Sequence, residues 1–245
     1  MFKLSSKYIS NVFIVIKFLR DSNIRSKQSE IERAYERIFS IQSINTNTPD
    51  NDVPIKPRII FNDKKKQLMV SQESSQLTLR FDSGVPQSNQ FETVKKYITL
   101  MVQGTSEFID KDSLLETSLV AIMNYPSKES SQCLNSYIFS NFIKAKQLGS
   151  IESASFKVAY KTDDSLFVNI EISTYEIRKG EIKPKIEQQY INLIDLPVVE
   201  TGLQVKLDIN NRPQIGSVLP GSSDLIVSRF ESLVLNEINN YLTVE

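Results

Sequence analysis

Over residues 202–213, GLQVKLDINNRP, the apolar residues Leu203, Val205, Leu207 and Ile209 alternate with Gln204, Lys206, Asp208 and Asn210, and the run stops at an Asn-Asn-Arg-Pro turn. A period of two predicts a strand with one buried face. Similar patterns predict strands at SNVFIVIKF, RIIF, QLMVS, QLTLRFD, SLVAIMNY and YINLIDLP. In the first of these Val12, Ile14, Ile16 and Phe18 alternate with Phe13, Val15 and Lys17, which suits a strand buried largely on both faces. SASFKVAY and SLFVNIEISTYEIR, joined by the tight turn KTDD, predict a hairpin.

Four segments carry a helical period instead. Ile31, Ala34, Tyr35 and Ile38 share one face behind Ser29 and Glu32, which have the spacing of a capping box. Phe91, Val94, Ile98, Met101 and Val102 form a stripe behind a cap at Asn89. Leu134, Tyr137, Ile138 and Phe142 mark a helix over 130–148, and Ile226, Phe230, Leu233, Val234 and Tyr241 mark a closing helix after PGSSD. The segment 43–57, SINTNTPDNDVPIKP, is aperiodic and broken by proline, which predicts a mobile loop.

Strands do not alternate regularly with helices, so the order predicts an α+β fold, a mostly antiparallel sheet with about four helices packed against it. The chain reads as one α+β domain over 1–245. Its halves, 1–126 and 127–245, each end in a meander followed by a helix, the outline of a duplicated unit without a residue-level repeat.

Composition narrows the chemistry. The chain has 245 residues, 40% of them hydrophobic and 24% charged, as in ordinary globular proteins. Lys plus Arg equals Asp plus Glu at 29 each, so no global field draws the protein to a polyanion or an anionic membrane. There is no histidine, which removes Ser-His-Asp and Cys-His catalysis and the histidine-containing zinc sites. The single cysteine, Cys133, forms no internal disulfide and reads as a small residue on a helix. The apolar N-terminal run is interrupted by Lys17 and is followed by no small-residue cleavage site, so a cytoplasmic, soluble protein is expected.

The candidate sites are modest. Asp208 reads as a wet-face residue before a turn; as a metal ligand it would need partners from Asp195, Glu200, Glu171, Asp163 or Asp164. Asp163 and Asp164 sit at a hairpin apex and Asp110 and Asp112 in a loop, where turn chemistry explains them. A nuclease core could use Glu171 with Glu181 and Lys183, although Pro184 makes that stretch a loop. PGSSDL lacks the lysine and the spacing of a phosphate loop. Lys64, Lys65 and Lys66 read as a hairpin turn, and Lys95 and Lys96 as the wet face of a helix. Arg178, Lys179, Lys183 and Lys185 are flanked by Tyr175 and Tyr190, the pairing of cations and stacking rings that single-stranded nucleic acid uses.

In element order and in short strings, SNVFIVIKF, QLTLRFD, SLVAIMNY, KLDIN and FESLVLNEINNYL, the chain resembles a sporadically distributed family of uncharacterised bacterial α+β proteins often found near mobile or defence-like genes. The resemblance implies a single domain without established catalysis, a structural strand around Asp208, and a setting of phage–host conflict or a mobile element. The leading expectation is a non-enzymatic protein that binds another protein, from a bacterium or phage. It needs no cofactor and no membrane, and its strand edges are open to self-association. Its recognition surfaces are expected on the 43–57 loop, with Asp50 and Asp52, and on the 178–190 excursion. The alternatives are a nucleic-acid binder using Tyr175, Arg178, Lys179, Lys183, Lys185 and Tyr190, and a metal-dependent hydrolase or nuclease with carboxylate ligands.

Overall fold

The computed structural model describes residues 7–40, 42–180, 196–212 and 222–242. Nine strands form one antiparallel sheet. They are β1 (Tyr8–Phe18), β2 (Ile44–Asn45), β3 (Ile59–Asp63), β4 (Lys66–Val70), β5 (Ser74–Arg80), β6 (Leu114–Ser127), β7 (Ser155–Lys161), β8 (Phe167–Arg178) and β9 (Val198–Asn210). The helices are α1 (Gln28–Ala34), α2 (Gln87–Phe108), α3 (Ser131–Ile138), α4 (Ser222–Ser232) and α5 (Ile238–Leu242), with a π-turn joining the last two. The sheet order is β2-β3-β4-β5-β1-β6-β9-β8-β7. The α+β class read from the sequence is the fold observed. The strand predicted at YINLIDLP lies largely outside the described residues.

The chain divides into two compact units. One comprises Met1–Tyr8, Met123–Val158 and Ile170–Lys206; the other comprises Ile9–Ile122, Ala159–Asn169 and Leu207–Glu245. In the second unit Val12, Ile14, Ile16 and Phe18 of β1 are buried on the helix side. Phe18 meets Phe108 of α2 edge to face, and Phe91 meets Phe230 of α4 likewise. Tyr35, just past α1, is fully buried and shares a 2.8 Å hydrogen bond with Thr105. Gly104 makes this contact possible: a Cβ there would lie 2.7 Å from the Tyr35 ring and 2.9 Å from the Ala34 carbonyl. Phe13, Val15 and Lys17 point the other way and stay half-buried, because among the described residues no helix covers that side of β1 as it does the first.

In the first unit α3 buries Leu134 and Ile138. Its Asn135 is a hub: the side-chain amide donates to the Glu152 carbonyl at 2.9 Å, and its oxygen accepts from the Ala154 amide and the Thr174 hydroxyl, both at 3.1 Å. On β9, Leu203, Val205, Leu207 and Ile209 are all fully buried, as the alternation predicts.

Several predicted ends differ. No side chain caps α1, which starts at Gln28; Glu32 instead accepts from the Ser43 amide at 3.1 Å and the Ser43 hydroxyl at 2.6 Å. Pro86, with φ −55° and ψ 138°, opens α2 at Gln87, ahead of the expected cap at Asn89. Ser130 does cap α3, accepting from the Cys133 amide. That helix ends in a π-turn, with Lys144 left-handed at φ 52°, rather than running to 148.

Candidate functional site

On the uncovered side of the second unit's sheet lies a pocket of about 370 Å³. Val15, Met69 and Val120 supply its apolar lining, Ile55 and Pro57 wall it, and Gln76 and Ser118 face it with amide and hydroxyl. The strand register explains the gathering, since Val15 stands opposite Gln76 and Gln76 opposite Met69. Neither Gln76 nor Ser118 has a side-chain hydrogen bond among the described residues, which leaves both groups available.

A charged cluster closes one end. The Glu116 side chain is only 7% exposed and accepts from Lys17 Nζ at 3.1 Å. It also accepts from Arg212 Nε at 3.2 Å and Nη2 at 3.3 Å, a two-pronged grip. Glu116 raises the Arg212 guanidinium above its ordinary pKa, with help from Asp208. A carboxylate this buried is tolerable only with such partners. Asp208, at the same end, accepts from Asn169 at 3.2 Å and Asn210 at 3.0 Å. It is a polar-face residue of β9, half-exposed and held by two amides. Among the described residues no group of three or more Asp, Glu, Cys or His gathers as a metal would require.

The loop that walls the pocket is bound down, unlike the mobile segment its composition predicts. Arg25 donates to the carbonyls of Thr46 at 3.0 Å and Thr48 at 2.6 Å, and to Asp50 at 3.1 Å. Arg58, fully buried, donates to the carbonyls of Lys56 at 2.6 Å and Asp52 at 3.2 Å. Gln72 adds a bond to the Asp50 carbonyl at 3.0 Å. Asp50 and Asp52 are therefore occupied, Asp50 by Arg25 and Asp52 by Lys56 at 2.7 Å. Ile55, 59% exposed, is the residue this loop offers to solvent beside the pocket.

The first unit holds a second polar cluster. Glu200 Oε1 accepts from the Tyr8 hydroxyl at 2.8 Å and the Tyr175 hydroxyl at 2.7 Å. Asn124 donates to the Tyr8 oxygen at 3.2 Å and accepts from Gln204 at 3.2 Å. Burial, and then Glu200 beside them, pushes both phenols above their ordinary pKa. The Tyr175 ring lies over Gly202, where a Cβ would stand 2.8 Å from it and 2.2 Å from the Tyr125 carbonyl. Arg178 spends its guanidinium on Glu176, at 2.6 and 3.1 Å, and on the Leu196 carbonyl at 3.0 Å. Of the cation-and-ring set read from the sequence, Tyr175 and Arg178 are thus engaged and Lys179 is exposed; Lys183, Lys185 and Tyr190 lie outside the described residues. Asp163 and Asp164 are exposed at the hairpin turn, and Asp112 is exposed within a short 3₁₀ turn that Asp110 precedes.

Sequence reasoning singled out none of Lys17, Glu116 and Arg212 as a site. Their one local signal is a charge inside, or just after, an otherwise apolar strand. No family model, no curated protein and no solved structure matches this chain. Among the described residues no helix is long and apolar enough to cross a membrane.

Proposed function

We propose that this chain is a non-enzymatic binding protein whose partner is another protein, docked on the uncovered sheet face of the second unit with an aliphatic side chain seated in the pocket. The observation that carries this reading is that charge cancels around an apolar floor. Glu116 is satisfied by Lys17 and Arg212, and Asp208 by two asparagines. What remains for a visitor is Val15, Met69, Val120 and Ile55, with the amide of Gln76 and the hydroxyl of Ser118 at their edge. An apolar centre with a polar rim is the make-up of a protein interface. A polyanion needs cations in surplus, whereas here two cations meet two carboxylates. Arg25 and Arg58 hold the Ile55 loop in place beforehand, so docking orders little chain. The resemblance to a family without established catalysis supports the same reading.

The experiment is capture of the stoichiometric partner by tagged full-length protein, repeated with Val120→Lys and with Lys179→Ala. Val120 is half-buried, so a lysine can reach solvent there and the fold survives. The expected result is capture by the parent and by Lys179→Ala, and at least about tenfold weaker capture by Val120→Lys. Undiminished capture by Val120→Lys, or recovery of nucleic acid in place of a protein, overturns the proposal.

A further inference from the structure

Among the described residues the sheet ends at two very different edges. β2 has only two residues and runs into the loop clamped by Arg25 and Arg58, so it offers little to pair with. β7 has seven residues, SFKVAYK, with neither proline nor glycine, and is mostly exposed. A strand of that kind is a template for another strand.

The direction of its free groups follows from the hairpin. The Thr162 amide bonds the Leu166 carbonyl at 2.9 Å. Backbone groups alternate in direction along an antiparallel strand. Phe156, Val158 and Tyr160 therefore turn theirs toward β8, while Ser155, Lys157, Ala159 and Lys161 turn theirs to the open edge. The side chains sort as clearly. Phe156 stacks on Phe142 at 5.3 Å, and the Tyr160 hydroxyl meets that of Tyr241 at 3.1 Å. Phe156, Val158 and Tyr160 thus make an apolar row at the rim, with Tyr160 still 42% exposed.

We infer that β7 pairs antiparallel with β7 of a second copy of this chain, about a two-fold axis at Val158. The sequence is complementary to itself in that register. Val158 faces Val158, Phe156 faces Tyr160, Lys157 faces Ala159 and Ser155 faces Lys161. No lysine stands directly opposite a lysine, and an aromatic pair forms on each side of the axis. Val158 falls at a non-hydrogen-bonded position, where opposed side chains approach most closely. The cost is that Lys157 and Lys161 of both copies gather on the other side of the joint. That repulsion is screened by salt, so the dimer tightens as ionic strength rises. The inference is independent of the pocket described above.

Sedimentation of the full chain over a range of concentrations, at low and high salt, tests it. A monomer–dimer equilibrium that strengthens with salt is expected. Ala159→Pro removes an edge donor while leaving the β8 ladder intact, and should weaken the dimer about tenfold or more through the lost edge bonds. Val158→Cys, in a Cys133→Ser background, should cross-link two copies under mild oxidation. A monomer at every concentration and salt overturns the proposal. So does a dimer that Ala159→Pro leaves unchanged, or one that Val158→Cys fails to cross-link.

Discussion

Glu116 in the second unit meets a lysine and an arginine, whereas Glu200 in the first meets two tyrosine hydroxyls. Both are carboxylates on a polar side of the sheet, yet the consequences differ. Around Glu116 the charges cancel through ion pairs whose cations are 41% and 56% exposed, so the cluster is soft, screened by salt and close to solvent. Around Glu200 neutral hydroxyls hold the carboxylate, and the Tyr175 ring is packed onto the backbone at Gly202, so that cluster is fixed by shape. The first arrangement borders an open pocket and the second fills its own space. The proposed binding face belongs with the former.

The sharpest test of that contrast is Gly202→Ala. Its Cβ would collide with backbone, the Tyr125 carbonyl at 2.2 Å, as well as with the Tyr175 ring. A loss of roughly 3 kcal/mol in unfolding free energy is expected from denaturant titration. A neutral outcome would mean that the Glu200 cluster is as soft as the other.

Alkaline pH separates the clusters next. Burial raises the phenols of Tyr8, Tyr175 and Tyr35 above the ordinary value of 10.0, Tyr35 to about 12. A group raised in the fold contributes stability that is whole below its unfolded pKa and is lost as pH climbs toward its folded one. Stability should therefore hold to about pH 10 and fall above it, Tyr35 alone accounting for roughly 2–3 kcal/mol. The Tyr175→Phe variant should lose less than the parent over the same range, which equilibrium unfolding at stepped pH measures.

A smaller effect distinguishes the two carboxylates directly. Glu116→Gln should cost about 1 kcal/mol at low salt and less at high salt, because the partners are exposed cations. Glu200→Gln should show a cost that salt hardly changes. Smallest of all is Asp208→Asn, expected within about 0.5 kcal/mol of the parent and without effect on partner capture. Asn169 and Asn210 bond different oxygens of Asp208, so asparagine keeps its one acceptor for Asn210, and the half-buried Asn169 amide can turn its own oxygen to the new NH2.

What the sequence made legible was periodic. The alternation of β9 and of β1, the α2 stripe and the β7–β8 hairpin were readable because burial imposes a short repeat on neighbouring residues. The ends were less so. The Ser29–Glu32 pair has the spacing of a cap, but Glu32 bonds Ser43, eleven positions later, and a long-range partner outweighs a local one. The Ser43 hydroxyl and the Gln28 amide hold that carboxyl below the usual range. Asn89 lost its cap to Pro86, whose fixed φ starts the helix a turn earlier. The 43–57 loop looked free because its anchors, Arg25 and Arg58, bond backbone carbonyls, which composition does not encode. The Glu116 cluster was illegible for a similar reason: its partners stand 99 and 96 positions away, and only the sheet brings them together.

Hydrogen exchange on the complex with its captured partner tests the proposed binding face most directly. Protection should appear in peptides covering 13–18, 67–76 and 116–121 and in the loop at 53–57, with little change around 174–180. Protection confined to 174–180, or an exchange pattern identical with and without the partner on the pocket strands, would contradict the assignment of binding to the uncovered face.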